Sequence, residues 1–359
     1  MLSLELLARQ LVEREGSDLH IAAGSPPMMR IDGRLIPAGE EKLSAEATRK
    51  LVYGILNSEQ VERFEEELEL DMSFGIEGLG RFRTNVFMQR EAVGSVLRVI
   101  PQETIPFAQL GLPSQACERI CNLRKGLVLV TGATGSGKST TLSSMVDHIN
   151  ASRTEHIMTI EDPIEFIHQN KGCLVNQREV GSDTHGFQNA LRTALRQDPD
   201  VIMVGEIRDQ ETISAALTIA ETGHLTFATL HTNSVVQTVN RVVDVFPAHQ
   251  QAQVRTQLSF TLEAIFCQQL VPRDGERGRV LAAEVLMATP AARALVREDK
   301  VHQLESVVQT GGRLGMRTMN QSLLEHCNDG QISFKNALRY SPTPDDIERM
   351  YKKSGGVCV

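Results

Sequence analysis

The sequence predicts an α/β protein, a parallel sheet covered by helices on both faces, preceded by a smaller α+β module. Three observations predict it. Up to about residue 100, short runs of alternating polar and apolar residues are separated by turn signals, as in half-buried antiparallel strands. From Arg124 the rhythm becomes continuous apolar strand, Gly-rich or acidic turn, helix and strand again, the pattern of strands buried on both faces. Between them runs a proline-punctuated stretch, Pro101 to Pro113, which favours extended linker backbone and removes ladder donors. A chain of 359 residues also suits two domains at ~150 residues each. The expected organisation is a first domain at 1–100, a linker at 101–113 and a second domain at 114–359.

The elements follow in order. An amphipathic opening helix carries Leu2, Leu4, Leu6, Leu7 and Leu11, and Ser17–Ile21 alternates as a strand. Met29–Ile31 and Arg34–Ile36 flank Asp32-Gly33, a hairpin signal. One charged helix is expected across Ser44–Leu68, with Leu51, Ile55 and Val61 inward, and the β-rich runs Arg81–Met88 and Gly94–Ile100 complete the module. In the second domain strands are expected at Leu127–Thr131, His156–Ile160, Val201–Val204, Leu225–Leu230 and Val280–Leu286. Helical patterns lie between most of them, for example Phe187, Ala190, Leu191, Ala194 and Leu195. Beyond Pro290 the chain reads as several helices, and Ser354–Val359 reads as frayed.

Composition excludes several classes of function. Lys and Arg number 37 against 45 Asp and Glu, a net charge of −8. That balance argues against a non-specific nucleic-acid or anionic-membrane binder. No apolar stretch approaches the ~20 residues of a transmembrane helix, and Met1–Val12 lacks the basic region of a secretory signal. Six cysteines are scattered without a C-x-x-C pair, which supports neither a zinc ribbon nor a disulfide framework. Cys117 and Cys121, four apart on a helical pattern, read as small core residues, and Cys358 is misplaced for prenylation. A cytosolic protein is expected.

The phosphate-binding signal is specific. Gly132-Ala-Thr-Gly-Ser-Gly137-Lys138-Ser139 satisfies G-x-x-x-x-G-K-[ST] at every fixed position, after a strand and before a helix. Glycines let the backbone curl so that successive N–H groups face phosphate oxygens, and the helix N-terminus adds partial positive charge. Thr134, Gly135, Ser136, Gly137, Lys138, Ser139 and Thr140 are therefore the candidate nucleotide-binding residues. In that role Lys138 would bridge the outer phosphates of ATP, and the Ser139 hydroxyl would ligate Mg²⁺.

A magnesium nucleotide also needs carboxylates on neighbouring strands. Val201–Glu206 is an apolar strand ending in an acid, which makes Glu206 a metal-site candidate. Glu161-Asp162-Pro163-Ile164-Glu165 follows another strand and can supply the base that polarises the attacking water. Glu161 and Glu165 cannot both be that base. His224 and His231 bracket the strand Leu225–Leu230. His231, at the end near the γ-phosphate, suits phosphate sensing or charge stabilisation, whereas His224 sits at the other end.

These four blocks, in this order, resemble the secretion ATPase superfamily, which powers type II secretion, type IV pili and conjugative type IV secretion. Its Walker A box matches Gly132–Ser139, its acidic box Thr159–Phe166, its Walker B box Val201–Glu206, and its histidine box Thr222–His224 through His231–Asn233. Within it the chain looks like the type IV pilus retraction ATPases, through Gly16–His20, Pro27 to Gly33, Arg81–Arg83, Asn176–Gly181, Leu195–Asp200 and Gly315–Gln321. Their late A-I-R-N-L-I-R-E motif reads Ala291-Ala-Arg293-Ala-Leu-Val-Arg297-Glu298 here, keeping both arginines but losing both isoleucines and the asparagine. The extra N-terminal domain and four-cysteine zinc element usual in assembly and type II secretion ATPases are not visible.

The resemblance implies a PAS-like N-terminal domain, a RecA-like ATPase domain with a helical C-terminal part, and a ring of six with ATP between the domains. It implies Glu165 as catalytic glutamate, Glu206 at the magnesium site, and Arg83 and Arg98 reaching the nucleotide. A Mg²⁺-dependent motor for pilus retraction and twitching motility follows, at the pilus base on the cytoplasmic face of the inner membrane. Its implied partners are a membrane platform protein and other pilus ATPases. The alternatives are an accessory or assembly ATPase of the same machinery, a nucleotide-gated binding module, and a nucleic-acid translocase. The acidic balance and the absence of a basic, aromatic strand-binding stretch argue against the last, so no nucleic-acid partner is expected.

Overall fold

The computed structural model describes residues 3–101, 103–275 and 278–353. The chain forms two compact units, residues 1–103 with 163–167, and residues 104–162 with 168–359.

The first unit is a helix-covered antiparallel sheet. Helix α1 (Leu4–Glu13) leads into β1 (Asp18–Ile21) and the hairpin β2 (Met28–Ile31) and β3 (Arg34–Pro37). Helices α2 (Ala45–Tyr53) and α3 (Ser58–Glu67) precede β4 (Glu69–Ile76), β5 (Gly80–Gln89) and β6 (Ala92–Ile100). The six strands run in the order β3-β2-β1-β6-β5-β4. Leu19, Met29, Phe82, Val86 and Leu97 point from one face into a core shared with Leu7, Leu11 and Phe64 of the helices.

Two expectations change here. The single helix across Ser44–Leu68 is two helices. Gly54 ends α2, and the Asn57 side chain opens α3 through a reciprocal capping box with Gln60. The cap satisfies otherwise orphaned backbone groups, so a new helix start wins over a continuous apolar stripe. Strand β4 was hidden because Leu68 leaves α3 in the left-handed conformation (φ 63°), and the strand follows with no loop of its own.

The second unit opens with α4 (Ser114–Cys121), β7 (Gly126–Thr131), α5 (Lys138–Ser152), β8 (His156–Glu161), β9 (Leu174–Glu179), α6 (Phe187–Ala194) and β10 (Val201–Val204). It continues with α7 (Gln210–Glu221), β11 (Leu225–Leu230), α8 (Val235–Asp244), α9 (Ala248–Thr261), β12 (Leu262–Pro272) and β13 (Arg279–Met287). Helices α10 (Pro290–Arg297), α11 (Leu304–Thr310), α12 (Met319–Asn328), α13 (Phe334–Tyr340) and α14 (Pro344–Lys353) form the tail. The sheet order is β13-β12-β7-β11-β10-β8-β9. Strands β7, β8, β10 and β11 are apolar and almost wholly buried, as strands covered on both faces must be.

The expected strand at Val280–Leu286 exists but is not parallel. As β13 it pairs antiparallel with β12, which the sequence reading missed. Helix α9 ends at Thr261 and β12 starts at Leu262, so no turn signal separates them. Strand β9 was missed for another reason. It lies at the sheet edge, and Asn176, Gln177, Arg178 and Glu179 give it no apolar run.

Cys117 and Cys121 are buried on α4, and burial pushes both thiols up, as core residues require. Cys358 and the expected frayed end 354–359 lie outside the described residues. Among the described residues, no helix is long and apolar enough to cross a membrane.

Candidate active site

Strand β7 ends at Thr131, and the backbone turns sharply at Gly132 (φ +144°). A Cβ at this position would lie 2.4 Å from the Gln268 carbonyl and 2.5 Å from Ser136 Oγ, so only glycine fits. Gly137 takes a left-handed conformation and opens α5 without a side-chain cap, leaving the first-turn amides of Lys138, Ser139 and Thr140 to an outside acceptor. Lys138 Nζ donates to the carbonyls of Gly132 (2.8 Å) and Ala133 (3.1 Å), so its charge is held over the loop. The Ser136 hydroxyl is buried with no hydrogen-bond partner among the described residues. A loop of amides, a lysine and an orphaned hydroxyl suits an anion with several oxygens. Thr134 and Gly135 are exposed along the same loop.

The sheet register gathers the other candidates of this unit. Thr131 pairs with Leu230, Ala228 pairs with Val204, and the Gly205 amide donates to the Ile160 carbonyl at 2.7 Å. Strands β7, β11, β10 and β8 therefore finish along one edge, followed by the P-loop, His231, Glu206 and Glu161 as last residue of β8. This carboxyl-end edge is where open parallel sheets bind ligands.

Glu206 is held from two sides. Its Oε2 accepts from Arg208 Nη2 at 2.7 Å, and its Oε1 lies 3.0 Å from His231 Nε2. The Arg208 hydrogen bond, opposed by burial and aided by the charges of Arg208 and His231, holds the Glu206 carboxyl below the ordinary carboxylate range. Glu206 pushes the Arg208 guanidinium up in return, with Asp162 adding to the effect. Arg208 was missed in the sequence, and its signal was the Glu-Ile-Arg-Asp run that places it two residues past the acid.

Glu161 is differently placed. It is buried, and its Oε1 accepts from Thr159 Oγ1 (2.7 Å) and Gln177 Nε2 (3.2 Å). Glu165 is exposed, in the segment 163–167 that belongs to the first unit. The acidic block is thus divided between the units. His224 sits at the opposite end of β11, with Nδ1 3.1 Å from the Ile219 carbonyl at the end of α7. It closes a helix.

Arg83 and Arg98 are directly opposite each other on β5 and β6, on the face turned away from the core. Arg98 Nε donates to Asp18 Oδ1 at 2.8 Å, and Arg30 approaches the other oxygen at 3.8 Å. Asp18, which the sequence reading used as part of a strand and of the Gly16–His20 block, anchors this row.

The type II/IV secretion system protein family matches residues 8–339. The chain belongs to that family. It is 50% identical over 96% of its length to the type IV pilus retraction ATPase PilT of Pseudomonas aeruginosa, covering 99% of that protein. It is 44% identical over 98% of its length to the type IV pilus ATPase PilU of the same organism, covering 92% of it. A crystal structure of the pilus retraction motor PilT with bound ADP superposes with a TM-score of 0.91 at 48% identity, over 98% of this chain and 100% of that one. The Legionella pneumophila ATPase DotB superposes with a TM-score of 0.77 at 29% identity, over 94% of this chain and 95% of that one. As a member of the secretion family, the chain is a nucleotide-binding ATPase with a RecA-like P-loop unit.

Proposed function

We propose that this chain is the motor ATPase of type IV pilus retraction, and so of twitching motility, acting as a homohexamer. The observation that carries this reading is the Glu206–His231 pair on the P-loop edge of a chain half-identical to a retraction ATPase over nearly its whole length.

Mg²⁺ fits the donor set. The Ser139 hydroxyl and Glu206 carboxylate are hard oxygen ligands. When bound, Mg²⁺ supplies charge neutralisation at the β- and γ-phosphates. The amides of 134–140 and the Lys138 ammonium bind and orient the polyphosphate. Glu165 takes the base role, because the Glu161 carboxylate is buried and occupied by Thr159 and Gln177. Arg83 and Arg98 neutralise charge at a transferring phosphoryl group, a task suited to planar guanidinium.

In the cell the motor works at the pilus base, on the cytoplasmic face of the inner membrane. Its partners are a membrane platform protein and other pilus ATPases, with no nucleic acid. Deleting the gene should leave cells with excess surface pili and no twitching, both restored by complementation. Bald cells would make it an assembly motor instead. A second reading is an accessory ATPase of the same pilus machinery, and the 44% identity to a type IV pilus ATPase is compatible with it. Deletion would then leave pilus numbers near normal.

A further inference from the structure

Residues 231–234, between β11 and α8, bring His231 to Glu206 and are held by buried groups that the chemistry above does not use. Thr238, fully buried in the first turn of α8, donates its hydroxyl proton to the Ser234 carbonyl at 2.8 Å. Its oxygen also lies 2.7 Å from the Thr232 hydroxyl. A hydroxyl has one proton to give, so Thr232 is the donor, and the neighbour of His231 is tied to the helix.

On another side Thr238 lies 3.5 Å from Thr131 Oγ1, on the last residue of β7 before Gly132. Thr131 gives its own proton to the Cys267 sulfur at 3.1 Å. Glu284 completes the set, with Oε2 accepting the Val235 amide at 2.9 Å. Burial pushes the Glu284 carboxyl up, against the Val235 amide and the Cys267 thiol, which favour its charged form. Valine would fill the space of Thr131 or Thr238, and a buried hydroxyl costs desolvation unless it is bonded. These hydroxyls are therefore there for their bonds.

We propose that Thr238 is a positioning residue for ATP hydrolysis, its hydroxyl fixing the loop that presents His231 to Glu206. The inference rests on the placement of Glu206 and His231 in the hydrolytic site. Its test is a mutant cycle on the full-length protein, read as kcat and KM for ATP. Thr238→Val should lower kcat about tenfold with KM within about twofold, and Thr238→Ser should restore it. In a His231→Ala background, Thr238→Val should add no further loss, because both changes remove one function. Thr232→Val, at a half-buried loop position, should repeat the pattern and serves if Thr238→Val fails to fold. Losses that multiply in the double variant, or wild-type kcat in a folded valine variant, would overturn the inference alone. Wild-type turnover in His231→Ala would overturn the site reading, and this inference with it.

Discussion

Glu206 Oε1 lies 3.0 Å from His231 Nε2, joining the ends of two adjacent parallel strands, β10 and β11, beside the P-loop. With Arg208 on its other oxygen, the carboxylate is ionised and fixed in direction, as an acid that orients a metal's water shell must be. Glu206→Gln keeps the shape but removes the negative charge that pairs with Arg208. It should lower kcat at least ~100-fold and raise the Mg²⁺ concentration needed for half-maximal turnover. A magnesium titration of ATP hydrolysis decides it, and an unchanged half-point would remove Glu206 from the metal site.

Gly132 tests the loop rather than the acids. Its φ of +144° and the 2.4 Å approach of the Gln268 carbonyl leave no room for a methyl group. Gly132→Ala must displace either β12 or the loop, and the loop is softer. The expected result is loss of nucleotide binding, read with a fluorescent ATP analogue, with a thermal midpoint only slightly reduced. Wild-type affinity would show that the loop geometry does not govern binding.

Both sites were legible because their chemistry is local. The P-loop must carry glycine where φ is positive, and Glu206 ends a strand whose burial on both faces demands an apolar run. What stayed hidden depends on residues far apart in sequence. Arg98 meets Asp18 across 80 residues, and Val235 meets Glu284 across 49, spacings that no periodicity encodes. The fold followed the same division. Buried strands β7, β10 and β11 were visible, whereas polar edge strand β9 and β12, fused to α9, gave no alternation or turn to read. The orientation of β13 was invisible as well, because only its pairing with β12 sets it.

Asp18 separates like charges. Arg83, Arg98 and Arg30 share its row of the first sheet, and like charges directly opposite repel. Burial pushes the Asp18 carboxyl up, but hydrogen bonds from Ser17 and Arg98, with the Arg98 charge, hold it below its ordinary value. Asp18→Ala should destabilise the protein by about 1–3 kcal/mol at pH 7, the lower figure reflecting the exposure of Arg98. Because the folded-state pKa is lowered, this contribution is full above pH ~4 and fades as pH falls further. Urea midpoints of the two proteins at pH 7 measure it, and identical midpoints would show that the row does not need its carboxylate.

His168 makes the opposite pH demand. It is buried beside the Asp147–Lys171 pair, its Nδ1 has no hydrogen-bond partner among the described residues, and burial pushes its pKa down to about 4. An unfolded histidine titrates near 6.5. Between those values the unfolded chain binds a proton that the folded chain refuses, so stability falls as pH drops from about 6.5 towards 4. The full loss is about 3 kcal/mol, of which roughly 2 kcal/mol has accrued by pH 5. His168→Phe removes the titrating group while keeping an apolar ring in its place. Wild type and variant, compared by urea denaturation at pH 7.5 and pH 5, should differ in pH sensitivity by that amount, the variant losing less. Parallel losses would mean that His168 accepts its proton in the folded state, with its ring reaching water or an acid in solution.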